Sequence, residues 1–268
     1  MTHDSRAVAV ITGASGGIGA ATARRLVQDG FDVVAHYATG LERARLLRDT
    51  VVAAGGTCWL VQADLATVEG VDSLVDQIDE ILTVRNRHQL LGLVNNAARM
   101  LGPAFASATA REYDAYFALN TRAPFLLTQA LAERMPRGGG IVNVSSAAAH
   151  FASPGDIVYA MTKAAIESLT VNAAPALAHR GIRINTVVPG FTDNGHAAFR
   201  DPQIREHMSG LSVFGDVATP EAVAEAVSFL LSERASRTTG ATLDVSGGST
   251  IGARRGTATL SLRERATR

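Results

Sequence analysis

Short apolar segments alternate with longer segments of helical period along this chain, and this alternation restricts its fold more than any other feature. Several of the short segments are apolar at consecutive positions, which is typical of strands buried on both faces. Repeated strand–helix alternation predicts an α/β fold, with helices on both faces of a doubly wound parallel β-sheet. The predicted strands are 7–12, 31–37, 57–62, 90–95, 140–146, 182–188 and 241–246, and the predicted helices are 17–29, 41–54, 67–84, 109–135, 157–180 and 220–232.

The domain organisation follows from the absence of any linker, repeat or low-complexity tract before the last residues. A chain of 268 residues fits one large α/β domain. We therefore predict a single domain over 1–252. A C-terminal tail follows at 253–268, with five arginines and no strong hydrophobic period.

Composition excludes several classes of protein. The 25 acidic and 25 basic residues balance, which argues against nucleic acid as a partner, because nucleic acid favours a basic face. A single cysteine excludes an internal disulfide and a cysteine-rich metal site, and the spacing of the histidines suggests no metal site. No apolar run approaches the roughly 18 residues of a membrane span, and AVAVI at 7–11 is too short for a signal segment. We expect a cytoplasmic protein with no metal.

A glycine-rich turn follows the first predicted strand. TGASGGIG occupies residues 12–19 and leads into a predicted helix. Glycine allows a sharp turn and a close approach of the backbone to a ligand, and a helix N-terminus presents free N–H groups to an anion. The spacing is G-x-x-x-G-x-G rather than the G-x-G-x-x-G of the dinucleotide fingerprint. The turn therefore indicates a pyrophosphate site, with a plain glycine-rich turn as the alternative.

Four motifs together resemble the short-chain dehydrogenase/reductase family. They are TGASGGIG, NNAA at 95–98, YAMTK at 159–163 and VVPG at 187–190, in that family's order and spacing over residues 7–250. The resemblance implies a single-domain Rossmann-type fold and hydride transfer between a nicotinamide and a carbonyl carbon. NNAA departs from the commoner NNAG by one methyl group.

Lys163 is the only lysine, because 24 of the 25 basic residues are arginine. Tyr159 lies four residues before it, so the two share one face of a helix, and Asp156 is a candidate N-cap for that helix. A positive charge at about 4 Å supplies roughly the 4 kcal/mol needed to lower a phenol pKa by three units. The lysine ammonium is also a compact hydrogen-bond donor, whereas the arginine guanidinium is planar and branched. The alternative is an ordinary surface lysine.

The resemblance assigns the remaining catalytic roles. Tyr159 is the general acid or base, Lys163 binds the cofactor ribose and joins a proton relay, and Ser146 binds the substrate oxygen, with Ser145 as the adjacent alternative. Asn120 matches an asparagine that holds the lysine through a water. Its alternative is a helix-interior amide bonded to backbone.

The resemblance also assigns a nicotinamide cofactor site. An NAD enzyme usually carries an acid at the end of the second strand, but residues 36–40 are HYATG. Thr39 and Arg43 suit a 2′-phosphate, although Gly16 stands where many NADPH-using relatives have a basic residue. We favour NADPH. The expected cofactor-binding residues are Gly13, Ser15, Gly16, Gly17, Ile18, Gly19, Tyr37, Ala38, Thr39, Asp64, Leu65, Asn95, Ala97, Tyr159, Lys163, Pro189, Gly190 and Thr192.

Residues 191–215 resemble the family's variable substrate lid. Their apolar side chains suit an apolar or aromatic ketone, or else form ordinary helix packing. The resemblance extends to bacterial ketoreductases of polyketides or 3-oxoacyl thioesters, and it implies a homotetramer joined through the helices near 109–135 and 157–180. Two other functions stay open: an NAD-dependent alcohol or sugar dehydrogenase, and a nucleotide-sensing scaffold that kept the fold.

Overall fold

A computed structural model describes residues 6–84, 88–195 and 197–252. The predicted tail at 253–268 lies outside these residues. All seven predicted strands are present, and so are helices in all six predicted helical regions. The strands are β1 Arg6–Ile11, β2 Asp32–Tyr37, β3 Cys58–Gln62, β4 His88–Asn95, β5 Gly140–Val144, β6 Arg183–Pro189 and β7 Thr242–Val245, and the helices are α1 Gly17–Gln28, α2 Leu41–Ala53, α3 Val68–Val84, α4 Ala110–Phe117, α5 Ala123–Ala132, α6 Ile157–Ala178, α7 Pro202–Ser209 and α8 Pro220–Leu231.

The strands form one parallel sheet in the order β3-β2-β1-β4-β5-β6-β7. The chain moves outward from β1 to β3 and then returns to the other side of β1 with β4. The doubly wound prediction is confirmed. A crevice opens at the carboxyl ends of β1 and β4, where the strand order reverses, and this is the usual ligand position in such sheets.

Both faces of the sheet are buried, which explains the consecutive apolar residues. In β1, Val8 and Val10 pack into a cluster with α3, α5 and α6, whereas Ala9 and Ile11 pack into a second cluster with α1, α2 and α8. All four residues are completely buried. Alternate side chains of one strand therefore serve opposite faces, and each face needs an apolar residue.

The predicted helix 109–135 is interrupted. It consists of α4, a π-helical turn over 118–122 that contains Asn120, and α5. Pro124 lacks the N–H that an α-helix would give to the Asn120 carbonyl, so this segment has a local reason to leave the α-helical register. Helical period alone did not predict the π-turn.

Helix α6 passes through Pro175 and ends three residues later. The bond that proline cannot make is to the carbonyl of Val171, a residue that is 57% exposed. None of the described helices is long and apolar enough to cross a membrane. The described residues also contain no group of three side chains suited to hold a metal ion.

Candidate active site

The glycine turn sits at the carboxyl end of β1, as predicted. Gly13 has a φ of +66°, and a Cβ there would lie 2.9 Å from the Cα of Ala97. A Cβ on Gly19 would collide with the carbonyl oxygen of Gly13. These positions require glycine, because the turn folds back on itself against the end of β4. Gly16 caps α1 without a side chain, and the first turn of α1 contains no acid. The N–H groups that begin α1 are therefore oriented to receive an anion.

Two side chains outside the predicted set hold this turn. His36, which is 2% exposed, accepts a hydrogen bond from the Gly13 N–H at its Nδ1 (3.1 Å), and its Nε2 lies 3.0 Å from the Ala63 carbonyl. Burial lowers the pKa of His36, so the imidazole is neutral and its Nε2 carries the proton. Nothing in the sequence pattern distinguished this histidine from an ordinary strand residue.

The second of these side chains is Asn96. Its Nδ2 donates to the backbone carbonyls of Thr12 (2.8 Å) and Gly13 (3.2 Å), while the Thr12 hydroxyl accepts from the Asn96 N–H at 2.9 Å. The neighbouring Asn95 is the residue that the sequence predicts to bind the cofactor. Its side chain points into the interior, 4% exposed, and donates to Asn143 at 2.8 Å and Thr128 at 3.2 Å. Neighbouring side chains on a strand face opposite sides, and the pair NN does not show which asparagine faces the turn.

The end of β2 lies beside the turn. Tyr37 is buried, whereas Ala38 and Thr39 are exposed. A Cβ on Gly40 would lie 2.8 Å from the Ser15 hydroxyl and 2.9 Å from a guanidinium nitrogen of Arg43. The hydroxyl and the guanidinium therefore both lie beside Gly40, next to the N-terminus of α2.

The end of β3 is adjacent. Leu65 is buried, and the exposed Asp64 accepts a hydrogen bond from the Ala66 N–H at 3.0 Å. The predicted residues at the ends of β1, β2 and β3 thus line one continuous edge of the sheet.

A cavity of about 470 Å³ continues this edge past β4, β5 and β6. The predicted residues that line it are Ile18, Ser146, Tyr159, Lys163, Pro189, Gly190 and Thr192, together with the alternative Ser145. Its other walls are largely apolar and include Met100, Leu101, Phe151, Phe191, Phe199, Met208 and Leu211. The predicted catalytic face of α6 and the predicted lid therefore enclose the same space.

Lys163 is a buried residue, 3% exposed, and not a surface lysine. Its Nζ donates to the Val144 carbonyl at 2.7 Å and lies 5.6 Å from the centre of the Tyr159 ring. Burial lowers the pKa of Lys163 to about 8. An ammonium placed here is still largely protonated at neutral pH, yet it can release its proton within the physiological range.

The phenol of Tyr159 differs from the sequence-based expectation. Burial raises its pKa to about 12, the hydrogen-bonded Ser146 lowers it, and the nearby Asp156 raises it further. Lysine was expected to lower this pKa, but its ammonium group is directed at Val144. At neutral pH the phenol is therefore protonated, and it is a proton donor rather than a base in this arrangement.

The two neighbouring serines have different environments. The Ser145 hydroxyl is buried, 2.5 Å from Glu167 Oε1 and 3.2 Å from the Lys163 carbonyl. The Ser146 hydroxyl accepts from the Ala148 N–H at 3.2 Å, and it lies close enough to Tyr159 to lower the pKa of the phenol. Ser145 is engaged with α6, while Ser146 faces the phenol.

Asn120 is 1% exposed, at the π-turn. Its Oδ1 accepts from the Arg99 N–H at 2.7 Å, and its Nδ2 donates to the Arg99 carbonyl at 3.0 Å and to Thr162 at 3.1 Å. The side chain thus holds the loop after β4 and touches α6 one residue before Lys163. This geometry matches the backbone-bonded alternative for the side chain.

Asp156 occupies the N-cap position of α6, as predicted, but its side chain does not cap the helix. It lines the cavity, and its Oδ1 accepts a hydrogen bond from the N–H of Gly102 on the facing loop. Burial raises the pKa of this carboxyl group. The sequence correctly placed the residue but missed its direction.

The segment after β6 closes the cavity. A Cβ on Gly190 would collide with the Ser246 carbonyl, and Thr192 donates to the Gly190 carbonyl at 3.1 Å. A Cβ on Gly17 would lie 2.7 Å from the Cα of Asn194. The lid therefore lies directly over the glycine turn and joins the two parts of the site.

Comparison with known proteins matches this arrangement. Residues 13–250 fit the family model described as enoyl-(acyl carrier protein) reductase. Among solved structures, the angucycline C-6 ketoreductase LanV with bound NADP has a TM-score of 0.89 and 40% identity, covering 93% of this chain and 100% of that one. LugOII, described as a promiscuous reductase that catalyses keto-reduction at C1 in lugdunomycin biosynthesis, has a TM-score of 0.89 and 39% identity over 94% and 100% of the two chains.

A curated relative adds a second substrate class. The 3-oxoacyl-[acyl-carrier-protein] reductase FabG of Staphylococcus aureus is 31% identical over 242 residues, which cover 90% of this chain and 96% of that protein. LanV has also been solved with NADP and rabelomycin together.

Proposed function

This chain belongs to the short-chain dehydrogenase/reductase family of NAD(P)H-dependent oxidoreductases, and from this premise we propose that it reduces a polyketide ketone to a secondary alcohol with NADPH. The observation that carries the proposal is the shared cavity of Ser146, Tyr159 and Lys163, in which the serine lies beside a protonated phenol. A protonated acid beside an apolar cavity suits reduction better than alcohol oxidation, which starts with a base.

The cofactor site fits a dinucleotide phosphate. The open N-terminus of α1 suits the pyrophosphate, and Ser15 and Arg43, which both lie beside Gly40, suit a ribose 2′-phosphate. No acid stands at 37–40 to repel a 2′-phosphate. The NADP-bound structure of LanV supports the same choice.

The reaction divides between the cofactor and the protein. NADPH, when bound, supplies a hydride to the carbonyl carbon. As the C=O electron pair moves onto the oxygen, Tyr159 donates its proton there, and Ser146 donates a hydrogen bond to the same oxygen. Lys163 would hold the cofactor ribose and return a proton to the phenol. In sum, ketone, NADPH and one proton give secondary alcohol and NADP⁺.

The largely apolar walls of the cavity support an aromatic polyketide as the ketone. The similarity to LanV, an angucycline C-6 ketoreductase, and to LugOII, which acts in lugdunomycin biosynthesis, also supports it. A 3-oxoacyl thioester is the other candidate of the same reaction class, and FabG supports it.

The free thiol of Cys58, whose pKa burial raises to about 12, suits a reducing cytoplasm.

We also propose that the protein is a homotetramer. A groove of about 670 Å³ between α4, α5 and α6 is lined by Phe117, Phe125 and Leu169. Phe125 is 49% exposed, and Val171 on α6 is 57% exposed. A second copy of the same face would cover these apolar side chains. Sedimentation of wild type and Phe125→Glu tests this, and a monomeric wild type would contradict it.

The decisive experiment follows NADPH oxidation by wild type, Tyr159→Phe and the control Tyr113→Phe. The ketones range from 3-oxoacyl thioesters to polycyclic aromatic ketones, with an enoyl thioester and NADH in parallel. We expect turnover of aromatic ketones that is lost in Tyr159→Phe and kept in Tyr113→Phe, whose phenol lies on the outer face of α4 and outside the cavity. Tight NADPH binding without turnover of any ketone would favour the nucleotide-sensing alternative, and better turnover with NADH would favour the dehydrogenase.

A further inference from the structure

We propose that Asp156 selects the substrate: its carboxylate accepts a hydrogen bond from a hydroxyl group of the ketone, so that the enzyme prefers phenolic or enolic hydroxy-ketones. This inference rests on the proposed function and specifies its substrate class. It singles out hydroxylated aromatic ketones over simple 3-oxoacyl thioesters, which carry no such donor beside the ketone.

The first step is the direction of the side chain. An aspartate at a helix N-cap usually accepts a hydrogen bond from the first turn of its own helix. Asp156 makes no such bond, and its Oδ1 instead accepts from the N–H of Gly102, on the loop that packs against the start of α6. The carboxylate therefore stands between the loop after β4 and the start of α6, three residues before Tyr159.

The second step is that the loop does not need this charge. Asn120 binds both the N–H and the carbonyl of Arg99, and the Tyr116 hydroxyl donates to the Met100 carbonyl at 3.0 Å. The Phe105 N–H donates to the Pro154 carbonyl at 3.0 Å. Four hydrogen bonds already hold the loop, and a neutral acceptor would serve Gly102 equally well. A carboxylate is more than the loop requires.

The third step is the environment of the carboxylate. Asp156 is half-buried and is the one acidic residue among the described residues that line the cavity. No lysine or arginine of the described chain forms a salt bridge with it. A half-buried carboxylate without a cation is costly unless donors satisfy its oxygens. Gly102 serves one oxygen, and a substrate hydroxyl is the donor that suits the other.

The test compares substrates that differ by one hydroxyl group. The assay follows the reduction of α-tetralone and of its ring-hydroxylated derivatives, which are isomers of one another, with NADPH. It is carried out with wild type and with Asp156→Asn. Asparagine keeps an acceptor for Gly102 but replaces the free acceptor by a donor. We expect at least one hydroxylated isomer to exceed the parent by about tenfold or more in kcat/KM with wild type, and the preference to vanish in Asp156→Asn. The parent ketone is the internal reference, since the change in charge near Tyr159 affects every ketone alike.

Asp72→Asn is the charge-matched control, because Asp72 is exposed on α3, and it should keep the preference. Thermal unfolding verifies that both variants are folded. A preference that survives in Asp156→Asn, or its absence in wild type, would overturn the inference. If no tetralone is reduced, the proposed function fails for this class, and dissociation constants of the same isomers from the NADP⁺-loaded protein decide the inference on its own.

Discussion

The imidazole of His36 accepts a hydrogen bond from the backbone N–H of Gly13 at 3.1 Å, and so a strand residue holds the glycine-rich turn after β1. The same ring binds the Ala63 carbonyl after β3. One neutral side chain thereby connects the ends of β1, β2 and β3, the three strands at which we propose that the nucleotide binds.

Replacing this histidine should weaken both cofactor binding and stability. His36→Phe keeps a ring of similar size but leaves a buried N–H and a buried carbonyl unpaired, at about 1–3 kcal/mol for each group. We expect a lower free energy of unfolding and a KM for NADPH that rises more than the KM for the ketone. Urea unfolding and initial rates measure the two effects. His179→Phe, at the exposed end of α6, is the control, and equal losses in both variants would contradict a specific role for His36.

His36 should also make stability depend on pH. Its pKa is lowered in the folded state, whereas an unfolded histidine titrates near about 6.5. As pH falls below that value, the unfolded chain takes up a proton before the folded protein does, so the free energy of unfolding decreases. Above that range the contribution is complete. Unfolding at several pH values between 5 and 8 should show a steeper decline in wild type than in His36→Phe, and parallel curves would rule out this contribution.

Ketone reduction should decline above pH 8 because of Lys163. The Tyr159 phenol stays protonated across this range, with a pKa of about 12, whereas the Lys163 ammonium has a pKa of about 8. Its loss of a proton with rising pH removes the proton that Lys163 returns to the phenol in the proposed mechanism. At saturating NADPH, kcat/KM for the ketone should fall about tenfold per pH unit above that value. Lys163→Arg stays charged, so its kcat/KM should be lower but should no longer decline above pH 8. If kcat/KM of that variant still declines as in wild type, Lys163 is not the group that causes the decline.

Arg43 should determine the preference for NADPH. Arg43→Ala removes the guanidinium beside Ser15 and Gly40, and a lost charge-assisted contact costs about 1.5–3 kcal/mol. We expect the KM for NADPH to rise at least about tenfold and the KM for NADH to stay unchanged. Arg48→Ala, which loses only an exposed pair with Asp49, is the control. Equal effects on both cofactors would show that Arg43 does not read the phosphate.

Much of the site was predictable because its signals are local. Tyr159 and Lys163 are one helical turn apart, so any helix brings them to one face, and the glycine turn follows directly from a buried strand. The seven strands were predictable for the same reason, since their apolar residues occur at consecutive positions.

Other parts depended on contacts between distant segments. The sequence does not show that Asn96 rather than Asn95 faces the turn, that Asp156 turns from its helix toward Gly102, or that His36 supports Gly13. In each of these cases the partner lies on another element, and the direction of the side chain depends on how the elements pack.

The sequence by itself determined the strands and helices, the glycine turn and the spacing of Tyr159 and Lys163. These features depend on the hydrophobic period and on residues within one helical turn of each other. Only the tertiary structure decided which groups are charged and where their protons lie. Burial raised the pKa of Tyr159 and lowered that of Lys163, and the direction of each hydrogen bond set its partner. A group is removed from water only when distant segments pack around it, so its pKa shift cannot be inferred from any single stretch of residues.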